Sequence, residues 1–140
     1  MNPGDFGFLI GDVSRLLRRT FRQQQADMGL TFEQVRALVH ISRREGIRQV
    51  DLADLLDVQP ITLVHQIDQL AANGLVGRRA DPADRRAYQL FLTKAAIPHL
   101  STIKKISAAI HADMFRGLDK EQVANAIAIL STVRENLVPK

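Results

Sequence analysis

The 140-residue sequence contains no cysteine and no tryptophan, and it has a single tyrosine. Without cysteine the chain forms no disulfide, carries no thiol redox sensor and offers no cysteine ligand to a metal. The shortage of tryptophan and tyrosine makes a stacking platform for single-stranded nucleic acid a poor expectation. No apolar run reaches membrane length, and no basic segment precedes the first apolar residues, so we expect a soluble, intracellular protein.

Signals for catalysis and for metal binding are also missing. The four histidines do not have the spacing of metal ligands, and no nucleophile with a histidine and a carboxylate is marked by the sequence. No glycine-rich phosphate loop appears. We therefore expect no metal site, no catalytic residue, no cofactor and no enzymatic activity.

The hydrophobic fraction is 46%, which is enough for a packed core, and the length indicates one domain or one domain with an extension. The net charge of +4 is concentrated in one place, because the segment from Arg78 to Lys94 holds five basic and two acidic residues. Such a local charge favours an element that faces a polyanion. The alternative is a solvated hairpin tip whose charge serves solubility.

Apolar side chains recur at three- and four-residue steps through most of the chain, which is typical of amphipathic helices. Capping boxes are predicted for Thr31 with Gln34 and for Asp119 with Gln122, and Pro60 suits a first helical position. The first four predicted helices span about 6–28, 31–45, 49–56 and 60–73, and Gly29, Gly46 and Gly74 end the first, second and fourth of them. The fifth helix is predicted to be capped by Thr93, to be loosened at Pro98 in its second turn and to reach Met114. The last helix is predicted to run from Asp119 to about 138.

The helix predicted over 60–73 has an apolar side and a polar side. The polar side carries hydroxyl, imidazole and amide groups that can read base edges in a major groove, namely Thr62, His65, Gln66, Gln69 and Asn73. The alternative is an ordinary polar face toward solvent. After Gly74 the pattern changes to the alternation of short strands, with turn residues in "DPAD", so the arginines are predicted to lie on a β-hairpin.

The first helix and the last two carry more apolar surface than one small core can hide. A second copy of the chain would cover the excess. The alternative is that the three helices pack only within one chain.

The segment "IDQLAANGLVGRRADPADRRAYQLFLTKAA" resembles the MarR/SlyA family of winged-helix transcription regulators. The residues that carry the resemblance are Asp68, Leu70, Gly74, Leu75, Val76, Arg78, Arg79, Asp81, Asp84, Arg85, Arg86, Ala87, Leu90, Leu92 and Thr93, and "GLTFEQVRALVHI" resembles the second helix of the family. The resemblance implies a mainly α fold with a small β-hairpin wing, in which a winged helix-turn-helix is flanked by N- and C-terminal dimerisation helices.

The resemblance also implies how the chain acts. A cytoplasmic, nucleoid-associated bacterial homodimer would bind double-stranded DNA at a pseudo-palindromic operator, with half-sites about one helical turn apart. Residues 31–93 would form the DNA-binding region, and residues 1–30 and 94–140 the dimerisation region. The recognition helix would contact bases through Thr62, Leu63, His65, Gln66 and Gln69. The wing would bind DNA through Arg78, Arg79, Arg85 and Arg86, with either Arg85 or Arg86 entering the minor groove and Asp84 holding the wing by pairing with an arginine.

His65 departs from the family pattern, because many relatives carry an arginine at this position of the reading helix. Since the ordinary pKa of histidine is near 6.5, DNA binding is hypothesised to strengthen below that pH. Ala95 and Ala96 replace a common glycine, which should affect only the helix start.

The family resemblance further implies release of DNA by a small aromatic or phenolic ligand. Its pocket would lie among the first, second and fifth helices and is predicted to include Phe8, Arg15, Arg36, Leu38 and His40. Packing and surface salt bridges are the alternative for each residue.

Two functional classes therefore stand. The favoured one is a sequence-specific dimeric transcriptional regulator, such as a repressor. The other is a winged-helix module for nonspecific DNA binding or protein assembly, and strong preference for one palindromic site would separate the two.

Overall fold

The computed structural model of the protein describes residues 1–24 and 28–139. A 3₁₀ turn at Pro3–Asp5 leads into the first helix. The helices are α1 (Phe6–Gln24), α2 (Phe32–Arg43), α3 (Gln49–Leu56), α4 (Pro60–Ala72), α5 (Ala96–Met114) and α6 (Lys120–Leu137), and the strands are β1 (Val76–Asp81) and β2 (Asp84–Leu92). Helix-turn-helix, hairpin and flanking helices therefore follow the predicted order.

The starts of α2 and α6 are those that the capping residues predict. Thr31 accepts a hydrogen bond from the backbone amide of Gln34, whose side chain accepts one from the Thr31 amide, and Asp119 and Gln122 make the reciprocal bonds at α6. Each box satisfies two amide groups that a helix start otherwise leaves unpaired. These local bonds explain why both starts could be predicted from a four-residue pattern.

Three predictions about the helices need correction. Met28 is not helical, and residues 25–27 lie outside the described part of the chain. Thr93 does not cap α5, because a turn intervenes and its hydroxyl donates to the carbonyl of Gly74 at 2.6 Å. With the helix starting at Ala96, Pro98 falls in its first turn instead of its second, where a missing amide hydrogen costs little.

The core of the winged helix is built from α2, α3, α4 and β2. Its fully buried side chains are Leu38, Ile41, Leu52, Leu63, Ile67, Leu70 and Leu90. Each such side chain contributes about 2 kcal/mol through removal of apolar surface from water. On α3, Leu55 does not belong to this core, because its side chain is about half exposed.

The wing is an antiparallel hairpin that is tied to the body along β2. Strands β1 and β2 pair from Val76 opposite Leu92 to Asp81 opposite Asp84, with an irregularity next to the turn. The short segment before α3 pairs with β2: the carbonyl of Leu90 accepts from the amide of Gly46, and the amide of Leu90 donates to the carbonyl of Ile47. The hairpin base is therefore fixed to the core, while the tip projects from it.

Two compact units divide the chain between Ser107 and Ala108, inside α5. The first unit includes α1, whose outer face leaves Phe8 80% exposed and Leu16 48% exposed. The second unit includes α6, where Ile127 is 58% exposed and Leu130 48%. Both units thus present apolar helix faces that the described residues of one chain leave uncovered.

Candidate nucleic-acid interface

The outer face of α4 carries most of the polar side chains that were predicted to read bases. Thr62, His65 and Gln69 are exposed, and Gln66 is partly buried. Leu63 is wrong as a DNA contact, because its side chain is completely buried in the core. Sequence reasoning also missed Ile61, which is 65% exposed at the helix start, a position from which an apolar side chain can contact a thymine methyl group.

Gln66 is the least satisfied of these side chains. Its Oε1 atom is buried and accepts no hydrogen bond from any residue of the described chain. A buried acceptor of this kind costs about 1–3 kcal/mol. The face of α4 is thus not a uniform polar surface, since one of its amides is partly withdrawn from solvent.

Gln69 is held from behind by the start of α2. The side-chain Nε2 of Gln34 donates to Oε1 of Gln69 at 2.8 Å. Gln34 is itself only 5% exposed, so this bond joins the buried layer to the outer face of α4.

Arg78 lies at the base of the wing and is surrounded by polar partners. Its Nε donates to Oε1 of Gln49 at 3.0 Å, and its Nη2 lies 3.4 Å from the carbonyl of Val64 and 2.7 Å from Oδ1 of Asp68. The Arg78 side chain is only 24% exposed. These contacts connect β1 to both helices of the helix-turn-helix, so Arg78 supports the fold, and its predicted DNA contact would require breaking them.

Arg79 is the next residue of β1 and points to the other side of the hairpin. Its guanidinium carbon lies 4.1 Å from the centroid of the Phe91 ring, in the geometry of a cation–π contact. Arg79 remains exposed. Stacking on an aromatic face preorganises a guanidinium while its edge stays available for hydrogen bonds.

Arg85 and Arg86 lie near the wing tip, and both are exposed. The Arg86 side chain is 97% exposed, with its Nε 4.0 Å from Oδ1 of Asp84. That separation is at the limit of an ion pair, and the stronger bond of Asp84 is to the backbone amide of Arg86 at 3.0 Å. The wing therefore presents two extended cations, and Asp84 stabilises it through the backbone more than through an arginine side chain.

Asp81 is a second acidic residue of the wing, and it has the structural role that sequence reasoning gave only to Asp84. Its carboxylate accepts from the backbone amide of Ala83 at 2.8 Å and from Nε of Arg48 at 2.6 Å. The amide of Ala83, followed by the Arg48 guanidinium, lowers the pKa of Asp81, against the opposing effect of burial. The Asp-Pro turn signal was visible in the sequence, whereas the partner Arg48 lies 33 residues earlier.

The five residues predicted to line a ligand pocket do not share one environment. Phe8 is 80% exposed on α1, whereas Leu38 is completely buried in the core and is wrong as a pocket wall. Arg15 forms an exposed ion pair with Asp12, with 3.8 Å between Nη2 and Oδ1.

The remaining two predicted pocket residues, Arg36 and His40, are half-buried on α2. Burial, and then the cations Arg36 and Arg43, lower the pKa of His40. Burial, and then Arg18, lower the pKa of the Arg36 guanidinium, which Glu33 partly opposes. A neutral His40 can form hydrogen bonds but adds no charge. Of these two residues, Arg36 is therefore the one that offers a positive charge to an anionic ligand.

Two clefts border α5, and neither is lined by those five residues. One, of about 390 Å³, is lined by Gln24, Met28, Pro98, His99, Thr102 and Ile106. The other, of about 330 Å³, is lined by Val39, Ser42, Arg43, Leu100, Ile103, Lys104 and Ser107. The second combines apolar walls with two cationic side chains, a combination suited to a small aromatic anion.

Within residues 1–24 and 28–139, no three histidine, aspartate or glutamate side chains come together as metal ligands. No helix in that part of the chain is long and apolar enough to cross a membrane.

Comparisons with known proteins match this architecture. The sequence profile of the MarR family matches residues 30–88, the segment that holds α2, α3, α4 and most of the wing. The transcriptional regulator PA3341 is 32% identical, and the alignment covers 94% of this chain and 97% of that one with a TM-score of 0.84. The chain belongs to the MarR family.

Two further solved structures support the assignment over nearly the whole chain. A MarR transcriptional regulator from Methanosarcina mazei Go1 is 27% identical, with 94% of each chain covered and a TM-score of 0.86. A MarR-family regulator from Silicibacter pomeroyi is 26% identical, with 98% of this chain and 92% of that one covered and a TM-score of 0.87. The MarR family consists of transcriptional regulators and not of enzymes, which agrees with the expectation from the sequence.

Proposed function

We propose that this MarR-family protein is a homodimeric transcriptional regulator that binds a pseudo-palindromic site in double-stranded DNA. The observation that carries the proposal is the pairing of an exposed, uncharged polar face on α4 with exposed arginines on the adjacent wing. Amides and hydroxyls can discriminate base edges in the major groove. Guanidinium groups on a thin hairpin can enter a narrow minor groove, where the negative potential is strongest.

Within this proposal the contacts divide by exposure. Thr62, His65 and Gln69 face bases, with Gln66 as a partial contributor because of its burial. Arg85 and Arg86 contact the minor groove or phosphates from the wing tip. Arg79 contacts the DNA backbone from its position over the Phe91 ring, and Arg78 acts by holding the wing against α3 and α4.

The decisive experiment is selection from a random duplex library at moderate salt, with wild-type protein, Arg85→Ala and Arg86→Ala. A palindromic consensus is expected for the wild type, at about a thousandfold or greater preference over random duplex. Each wing variant should bind the selected site more weakly and show a salt slope smaller by about 1. Arg116→Ala is the matched control, because Arg116 is an exposed arginine that pairs with Asp113 outside the winged helix.

Absence of any enriched sequence would contradict the proposal. Affinity that depends on salt alone, with no preferred site, would instead favour the alternative of a nonspecific DNA-binding module. Wing variants that bind the selected site as tightly as the wild type would remove the wing from the interface.

The dimer is proposed because both compact units leave apolar helix surface uncovered. Exposed apolar side chains on α1 and α6 exceed the isolated ones that a monomer surface normally carries. Sedimentation of the full chain should give twice the mass of a protomer, and Leu130→Asp or Val13→Asp should shift it toward the monomer. A wild-type monomer at micromolar concentration would contradict this part of the proposal.

Ligand-dependent release is proposed at the cleft between α2 and α5. Arg43 and Lys104 supply positive charge there beside the apolar walls. A ligand that binds the free protein more tightly than the DNA-bound form would lower DNA affinity. Benzoate can serve as the probe: it should weaken operator binding by the wild type, and Arg43→Ala should reduce that effect. Equal operator affinity with and without benzoate would contradict release by this class of anion.

A further inference from the structure

Gln34 makes hydrogen bonds at both ends of its side-chain amide. At one end its Oε1 accepts from the backbone amide of Thr31 at 2.9 Å, as the N3 residue of the capping box of α2. At the other end its Nε2 donates to Oε1 of Gln69 on α4 at 2.8 Å. Gln34 is buried, whereas Gln69 is exposed, so one amide connects a helix cap to the candidate DNA-binding face.

The chemistry of these groups fixes which atom of Gln69 points inward. A backbone N–H can only donate, so the atom of Gln34 that faces Thr31 must be its oxygen. The NH₂ group that remains on Gln34 can only donate, so the atom of Gln69 that faces it must also be oxygen. The capping box therefore determines the orientation of the Gln69 amide, and Nε2 of Gln69 is the atom left for an external partner.

We propose that Gln34 is a positioning residue that sets Gln69 as a hydrogen-bond donor toward DNA, so that Gln69 selects a base with a major-groove acceptor and rejects cytosine. This inference rests on the proposed function, because it assigns a specificity to α4 in the major groove. Guanine presents O6 and N7, adenine presents N7 and thymine presents O4 as acceptors there, whereas cytosine presents only an amino group. A donor held in a fixed orientation is therefore satisfied by guanine, adenine or thymine and faces another donor at cytosine.

The substitution Gln34→Glu should change the base preference of the protein, which makes the inference testable. One carboxylate oxygen of the glutamate still accepts from the Thr31 amide, since glutamate is a normal N3 residue of a capping box. The other oxygen replaces the donor that faces Gln69, so the Gln69 amide must turn its NH₂ group inward. Its carbonyl oxygen then points outward and accepts from an amino group, which favours adenine or cytosine.

The test is selection from a random duplex library with the wild type, Gln34→Glu and Gln69→Ala, followed by comparison of base preferences position by position. At one position of each half-site the wild type should disfavour cytosine by about tenfold, the size of a typical single-base effect. Gln34→Glu should prefer adenine or cytosine at that position, because only these two bases present an amino donor, and should keep the other positions unchanged. Gln69→Ala should show neither preference there.

Gln122→Glu is the matched control. Gln122 occupies the same N3 position in the capping box of α6, where its Oε1 accepts from the Asp119 amide at 2.9 Å. The same chemical change therefore occurs in the same local geometry, outside the candidate DNA-binding region. Its base preferences should equal those of the wild type.

Base preferences of Gln34→Glu that match the wild type at every position would overturn the inference. So would unchanged preferences in Gln69→Ala, a variant whose altered side chain is exposed and leaves the capping box of α2 intact. Either result leaves the wild-type consensus in place, and the proposed function with it. A wild type that selects no sequence would overturn both proposals together.

Discussion

The substitution Arg78→Ala tests whether this arginine supports the fold or contacts DNA. The sequence groups Arg78 with the other wing arginines, whereas the structure surrounds it with Gln49, Val64 and Asp68. Truncation removes every one of these contacts and leaves the Gln49 amide oxygen without its donor. We therefore expect loss of stability to be its main effect.

The magnitude follows from the individual contacts. The charged hydrogen bond to Gln49 is worth about 1.5–3 kcal/mol. The ion pair with Asp68, whose side chain is 54% exposed, adds only about 0.5–1 kcal/mol because solvent screens it. At 3.4 Å the contact with the Val64 carbonyl is long and weak. Since all three share one guanidinium, they are not additive, and we expect a loss of about 2 kcal/mol in the free energy of unfolding.

Thermal unfolding followed by circular dichroism is the assay, at one fixed protein concentration because a dimer gains stability by mass action. For a chain of this length about 2 kcal/mol corresponds to a Tm lowered by roughly 6–8 °C. Arg86→Ala is the control, because the Arg86 side chain is 97% exposed, and it should change stability by less than about 0.5 kcal/mol. On selected DNA the order should reverse, with the salt slope reduced by about 1 for Arg86→Ala and unchanged for Arg78→Ala.

Two results would refute this reasoning. Wild-type stability in Arg78→Ala would mean that the bonds to Gln49 and Asp68 contribute nothing net. A reduced salt slope in Arg78→Ala at full stability would mean that the guanidinium leaves these partners and binds phosphate, as the sequence alone suggested.

Three further predictions concern stability. The Ala83 amide and then Arg48 lower the pKa of Asp81 below its ordinary value of 3.8, so the stabilising effect of its carboxylate is present above that pH and is lost as the pH falls through the lowered pKa. The urea midpoint of the wild type should therefore fall more steeply from pH 5 to pH 3 than that of Asp81→Asn, and equal slopes would contradict this. Gln66→Met removes a buried acceptor that has no partner within the described chain and should raise the free energy of unfolding by about 1 kcal/mol, whereas a lower urea midpoint would show that Oε1 is satisfied. Thr93→Val removes a hydroxyl that donates to a backbone carbonyl at 2.6 Å and should cost about 1 kcal/mol by the same assay, and a variant as stable as the wild type would mean that this bond adds nothing.

Much of the fold could be predicted because its signals are local. The capping boxes at Thr31 and Asp119 bring together groups three residues apart, and Pro60 opens α4 as its fixed backbone angle allows. The change from helical to alternating periodicity after Gly74 marks the wing. For such features the neighbouring sequence contains all the interacting groups.

Side-chain roles were predicted less well where a partner lies far along the chain. Leu38 and Leu63 were assigned to a pocket and to DNA, yet both are completely buried, because a helix position alone does not say what packs against it. Arg78 was grouped with Arg85 and Arg86 by charge, although only the latter two extend into solvent.

The sequence by itself determined the order of the elements, the starts of α2, α4 and α6 and the concentration of positive charge on one hairpin, since each depends on neighbouring residues. Tertiary structure decided which polar groups are already bonded within the protein. Gln34 meets Gln69 across 35 residues and Arg48 meets Asp81 across 33, distances over which no local pattern predicts a contact. A group bonded inside the fold has a fixed orientation, and one that is left exposed is available to a partner.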